Sequence, residues 1–282
     1  MTEPATEFVV RRILVALDAS AQSLAALHAA VILAAGLGAD LEGLFVEDIN
    51  LMRMAMLPVA RRVLYPSAAE ETLDSSRMER EMRVLARQAQ ESLATMAERS
   101  GIRWSFRVVR GKVTVEILSA ASESDLLTVG KSGWSLARKM QLGSTAHNAA
   151  VHAPKALLLV KRPLAANRPV IALYDGSVHA EQALKAAAKF ARAFQGRLIV
   201  FLLADDQQQL AALKRAAGPL IKATEIQARF RPVIGPAAQR LADAIESEAG
   251  GLLVLSRQYK DLSEQDVQDL LRAVGNPVLL VR

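Results

Sequence analysis

Two doubly wound α/β domains in tandem are the fold class this 282-residue sequence predicts, and three observations predict it. Apolar runs of strand length alternate with alanine- and leucine-rich stretches of helical length, the pattern of a parallel sheet covered by helices on both faces. The two halves of the chain open and close alike, as an internal duplication does. Between them, Arg162-Pro163-Leu164-Ala165-Ala166-Asn167-Arg168-Pro169 carries two prolines, which disfavour helix on the residues before them and mark a linker. The resulting division is 1–162, a linker over 163–169, and 170–282.

The first half opens on Ile13-Leu14-Val15-Ala16-Leu17, a buried strand, followed by Asp18-Ala19-Ser20, an acid and a hydroxyl that open a helix over about 20–36. Further strands are expected at about 41–46, 104–109, 125–129 and 156–160, with helices at about 70–100, 113–122 and 143–152. The second half repeats the opening as Val170-Ile171-Ala172-Leu173-Tyr174-Asp175-Gly176-Ser177. Ala183-Leu184 answers Ala26-Leu27 at the same offset, and a second strand at about 198–203 answers that at 41–46. Pro277-Val278-Leu279-Leu280-Val281 closes the chain as Pro154-Lys155-Ala156-Leu157-Leu158-Leu159-Val160 closes the first half. In such sheets ligands bind beyond the carboxyl ends of the strands, which gathers Asp18, Val46 and Gly130 at one edge.

Composition narrows the function classes. Without cysteine there is no disulfide framework, thiol chemistry or thiolate zinc site. The first seven residues hold acids and a proline where a secretory signal has a basic and then an apolar region, so a cytoplasmic location is expected. The most apolar stretch, 24–39, is short, alanine-rich and interrupted by His28, which suits a buried helix better than a membrane span. The net charge of +6 is spread among nearly as many acids, and only 4% of residues are aromatic, which argues against nucleic acid as a partner.

The motif that carries chemistry follows the strand at 125–129. Gly130-Lys131-Ser132-Gly133, nine residues, and then Gly143-Ser144-Thr145 make a Gly-x2-Gly-x9-Gly-Ser pattern that ends at a helix start. Glycines admit a phosphate close to the backbone, and free amides at a helix start supply donors and partial positive charge. Ser144 and Thr145 add hydroxyl donors, and Lys131 adds a positive charge of unknown direction. The alternative is an ordinary turn at Gly130 and Gly133 before an ordinary serine-capped helix. The spacing is neither a Walker loop nor a Rossmann fingerprint.

Together with the Asp18-Ala19-Ser20 turn, the strand end Leu44-Phe45-Val46-Glu47-Asp48 and the closing strand, this motif resembles the ATP-binding branch of the universal stress proteins over residues 12–162, and more weakly over 168–282. The resemblance implies a five-stranded parallel sheet of the adenine nucleotide alpha hydrolase-like type that binds ATP or AMP, with or without Mg²⁺. It places Asp18 at the ribose and adenine, Ala16 and Val46 along the base, and Val129, Gly130 and Gly133 beside the ribose and phosphates. Gly143, Ser144 and Thr145 hold the phosphates. It also implies that the closing strands, 156–160 and 278–281, pair about a two-fold axis as an intramolecular pseudo-dimer, to which a further homodimer contact can be added.

The second half departs from the pattern. Ser256-Arg257-Gln258-Tyr259 stands where the glycines would be, and no Gly-Ser helix start follows, so a degenerate domain without nucleotide is expected. His147 and His152 are five apart, not the three or four of a helical metal pair, and His28 and His179 are isolated, so packing or surface roles are expected for all four. The insertion at about 49–100 is rich in methionine near its start, with Met52, Met54 and Met56, and reads as a lid or interdomain strap, or as a contact surface. Its run Arg77-Met78-Glu79-Arg80-Glu81 reads as a solvated helix face. No triad, carboxylate pair or metal centre is evident. Asp18, Ser132, Ser144 and Thr145 are the groups available for phosphoryl transfer, so at most slow ATP hydrolysis or self-phosphorylation is expected. Two functions fit: a stress-response regulator whose bound adenine nucleotide changes the surface it offers to an unidentified protein partner, or a nucleotide-independent interaction scaffold.

Overall fold

The structure, a computed structural model, describes residues 8–56, 74–131, 143–222, 225–235, 238–248 and 250–281, and the backbone of 61–64 and 69–72. The first half runs β1 (Arg12–Leu17), α1 (Ala21–Leu37), β2 (Asp40–Asp48), α2 (Ile49–Ala55), β3 (Arg61–Leu64), β4 (Ala69–Thr72), α3 (Ser75–Arg99), β5 (Trp104–Gly111), α4 (Val113–Ala121), β6 (Leu126–Gly130), α5 (Ser144–His152) and β7 (Ala156–Val160). The second half runs β8 (Val170–Tyr174), α6 (Val178–Ala193), β9 (Leu198–Ala204), α7 (Gln207–Lys222), β10 (Ala228–Ile234), α8 (Ala238–Ser247), β11 (Leu253–Ser256), α9 (Glu264–Ala273) and β12 (Val278–Val281).

Each half contributes five parallel strands in the same order, β5-β2-β1-β6-β7 in the first and β10-β9-β8-β11-β12 in the second. The sheets join through β12 and β7, the one antiparallel pair among the ten, with Leu279 opposite Leu158. The closing strands therefore meet about a pseudo-two-fold axis, as the resemblance implied. Helices α1, α3, α6 and α7 cover one face and α4, α5, α8 and α9 the other, and each apolar layer runs unbroken through both halves. Doubly wound layers of this kind reverse winding between strands 1 and 4, here β1 and β6, and a crevice opens at that switch point.

The turn from β1 into α1 shows how the local sequence positions the site. Ser20 caps α1 by accepting the Ser23 N–H at 3.1 Å, while Asp18 accepts the Ser20 N–H at 3.0 Å. Ser177 and Asp175 repeat both bonds before α6. Between acid and serine the backbone is left-handed in each half, at φ 59° for Ala19 and φ 80° for Gly176. An alanine pays a steric cost there that glycine does not. Ala19→Gly should therefore stabilise the protein by about 1 kcal/mol in urea unfolding, and an unchanged midpoint would contradict the strain.

The insertion differs from expectation in one respect. Residues 69–72 are not the start of a helix but the second strand of an antiparallel hairpin, β3–β4, in a two-stranded sheet of its own. Asp74 begins α3 by accepting the Ser76 and Arg77 N–H groups. Helix α3 lies on the same face as α1, burying Met82, Ala86, Ala89, Leu93 and Ala97 at helical spacing. It packs against its own half, against β2, β5 and α1. Its arginines, Arg77 and Arg80, are exposed as expected, with Arg77 bonded to Glu81 at 3.2 Å, but Met78 turns inward and the half-buried Glu81 lines the same cleft.

Candidate functional site

A cleft of about 590 Å³ lies at the carboxyl ends of β1, β2 and β6. Ala16 and Asp18, Val46, Val129 and Gly130, and Gly143, Ser144 and Thr145, from four separate segments of the chain, line it together. Leu51 of α2 and Met78, Met82 and Leu85 of α3 form a further apolar wall, so the described part of the insertion covers its own half's cleft. Sequence reasoning had not assigned these four side chains to the site, although the apolar spacing of Met78, Met82 and Leu85 on a charged helix is a signal that finds them.

Gly130 ends β6 where the strand meets the first turn of α1. A Cβ there would sit 3.0 Å from the Gln22 Cβ and 3.1 Å from its carbonyl group, a tight approach that a larger residue would meet only by displacing the first turn of α1 slightly. At the other side of the cleft Gly143 is the N-cap of α5. The sequence left open a serine cap, but the capping residue is glycine and it makes no side-chain cap bond. Helices α1, α3, α6 and α9 all have their first amides closed by Ser20, Asp74, Ser177 and Ser263. At α5 the amide-bearing end, with an exposed Ser144 and a half-buried Thr145, faces the cleft. Such an end attracts an anion through amide donors and the helix dipole. Apolar side chains on the opposite wall suit a flat ring, and Asp18, with one oxygen engaged by Ser20, can accept hydroxyl donors.

Two further site residues were expected. Gly133, with Ser132, lies outside the described residues. Lys131 does not line the cleft: it is 3% exposed, and its Nζ donates at 2.7 Å to the Val274 carbonyl in the second half. The reason is geometric, because β6 alternates its side chains and Lys131, one residue past Gly130, points toward the seam. Its backbone still serves the site: the Lys131 carbonyl accepts the Gly143 N–H at 3.0 Å, tying the end of β6 to the start of α5.

Burial lowers the Lys131 pKa from 10.5 to about 7, with Lys161 adding to the effect, Glu246 opposing it and Arg162 adding again. Below pH 7 the folded and unfolded chains both hold the proton. Between about 7 and 10.5 the folded chain has lost it and the unfolded chain keeps it, so this lysine makes stability rise with pH over that window. The stability difference between parent and Lys131→Met, followed by urea unfolding, should be flat below pH 7. Above it, the difference should grow in favour of the parent by up to a few kcal/mol. A flat difference throughout would contradict the burial of the amine.

The corresponding edge of the second half is filled by its own chain. Asp175 is buried; one oxygen accepts the Ser177 N–H as Asp18 accepts that of Ser20, and the other accepts the Lys260 N–H. The Tyr259 hydroxyl accepts the Ser256 N–H at 2.9 Å, and burial pushes its pKa up. A Cβ on Gly176 would meet Leu213 at 2.8 Å. The four histidines are exposed, and among the described residues no group of three or more His, Asp or Glu could hold a metal. No helix among the described residues is long and apolar enough to cross a membrane.

A family model described as the universal stress protein family matches residues 10–161. The chain belongs to that family. As a fold it is similar over its whole length to other universal stress proteins. One from Archaeoglobus fulgidus DSM 4304 aligns with 98% of this chain and 97% of its own at 19% identity and TM-score 0.74. A second, described as a putative universal stress protein of Pseudomonas aeruginosa UCBPP-PA14, aligns with 96% and 93% at 15% identity and TM-score 0.64. A shorter one from Archaeoglobus fulgidus, solved in complex with dAMP, covers 41% of this chain and 97% of its own at 14% identity and TM-score 0.35. No curated protein sequence matches the chain.

Proposed function

We propose that this universal stress protein is an adenine-nucleotide-binding regulator with one ligand site, in the first half. The observation that carries the reading is the convergence of Asp18, Gly130 and the uncapped start of α5 on one apolar cleft. Adenine and ribose lie along Ala16, Val46 and Val129, with Asp18 accepting from the sugar hydroxyls. The phosphates meet the Ser144 and Thr145 amides and the two hydroxyls at the start of α5, while the Gly143 N–H stays with the Lys131 carbonyl. ATP or AMP satisfies this arrangement, and Mg²⁺ accompanies the triphosphate. Asp175 and Tyr259 support a second half without nucleotide, since their own neighbours occupy the groups a ligand would need.

Regulation follows from the wall that α2 and α3 contribute. Leu51 lines the cleft while Met54 and Met56, on the same short helix or just past it, are exposed, so a ligand against Leu51 alters an apolar surface available to a protein partner. Calorimetric titration of nucleotide-stripped protein with Mg-ATP and with AMP tests the reading. One equivalent bound per chain supports it; two equivalents would restore a second site, and none would leave the tandem as a nucleotide-independent scaffold.

A further inference from the structure

The two halves exchange a basic side chain at equivalent positions. Gly130 pairs with Val160 at the end of β7, and Ser256 pairs with Val281 at the end of β12, so Lys131 and Arg257 are the same position of the repeat, one residue past the strand. Lys131 donates to the carbonyl of Val274, the C-cap of α9. Arg257 donates from Nη1 to the Val151 carbonyl and from Nη2 to that of Ala153, the C-cap of α5, both at 3.1 Å. Each half thus closes the last helix of the other. The final carbonyls of a helix lack intrahelical partners and carry partial negative charge, which makes a cation there favourable. A guanidinium, with donors in a rigid fork, also fixes direction in a way an ammonium does not.

What the two bonds hold is different. Helix α9 has its amide end closed by a capping box between Ser263 and Asp266. Helix α5 has its amide end open to the cleft, and at nine residues it is a rigid rod of about 14 Å. We infer that Arg257 is a positioning residue for the cleft: from the second half it clamps the carboxyl end of α5 and so aims the amides at the other end toward the ligand phosphate. The inference rests on the nucleotide reading above, and it gives the half without a ligand site a part in the site of the other.

Full-length parent, Arg257→Met, which keeps the aliphatic stem but no donor, and Arg257→Lys are titrated with AMP and with adenosine, and amide hydrogen exchange along α5 is followed without ligand. Arg257→Met is expected to weaken AMP by about tenfold and leave adenosine, which has no phosphate, unchanged. Its α5 amides exchange faster, and Arg257→Lys recovers part of both effects. Equal weakening of AMP and adenosine, or no weakening of AMP, overturns the inference even where the parent binds both. A parent that binds neither ligand overturns the nucleotide reading instead, and α5 exchange that is unchanged in Arg257→Met then overturns the positioning role independently.

Discussion

Gly143→Asp combined with Ser144→Ala is expected to remove ATP and AMP binding while leaving the fold intact. Aspartate is among the best N-cap residues, so α5 gains a cap it now lacks and loses nothing in stability. Its carboxylate accepts the same first-turn amides that the phosphates need and places a negative charge where they bind. Ser144→Ala removes a hydroxyl donor from an exposed position. Together the lost charge-assisted bonds and the repulsion amount to about 3 kcal/mol or more, a weakening of about 100-fold or more. Calorimetry reads the affinity, and thermal unfolding checks the fold. Retained affinity in a folded double variant would mean that the α5 end does not hold the phosphates, and would remove the main support for the nucleotide reading.

The second large effect is expected at the seam. Leu158 of β7 is fully buried opposite Leu279 of β12, in an apolar layer that continues from α1 into α6. Leu158→Ala deletes most of a close-packed side chain at a site enclosed by both halves, where the surroundings cannot collapse freely, so a loss of 2 to 5 kcal/mol, in the range of about 2–5 typical for such truncations, is expected. Because the layer is shared, the loss should move a single cooperative urea transition. Two transitions, with only the first-half one shifted, would show that the halves unfold separately and that the seam contributes little.

Much of this architecture is legible in local sequence. Strand lengths, the Asp-x-Ser turns at 18–20 and 175–177 and the opening of α5 depend on residues within a few positions of one another, where apolar period and capping chemistry act directly. The duplicated closing strands pointed to the β7–β12 pairing through family resemblance and not through any local rule. The β3–β4 hairpin was not legible: Ala69-Glu70-Glu71-Thr72 has none of the alternation that marks a strand and stands just before a strong helix. The cleft's second wall was half legible, since the spacing of Met78, Met82 and Leu85 marks an inward face without saying what it faces.

What the sequence alone determined about this protein is the alternation of strands and helices in its first half, the Asp-x-Ser turns of both halves, and the chemistry gathered at one sheet edge. Tertiary structure decided where long side chains go and which crevice stays open. Lys131 belongs to the phosphate motif by spacing, yet it serves the seam, because its partner Val274 is 143 residues away. Tyr259 and Lys260 engage groups at the second edge, and Arg257 closes α5 from 104 and 106 residues away. Such outcomes depend on which carbonyls and cavities a folded neighbour presents, and no period or cap within one element carries that information.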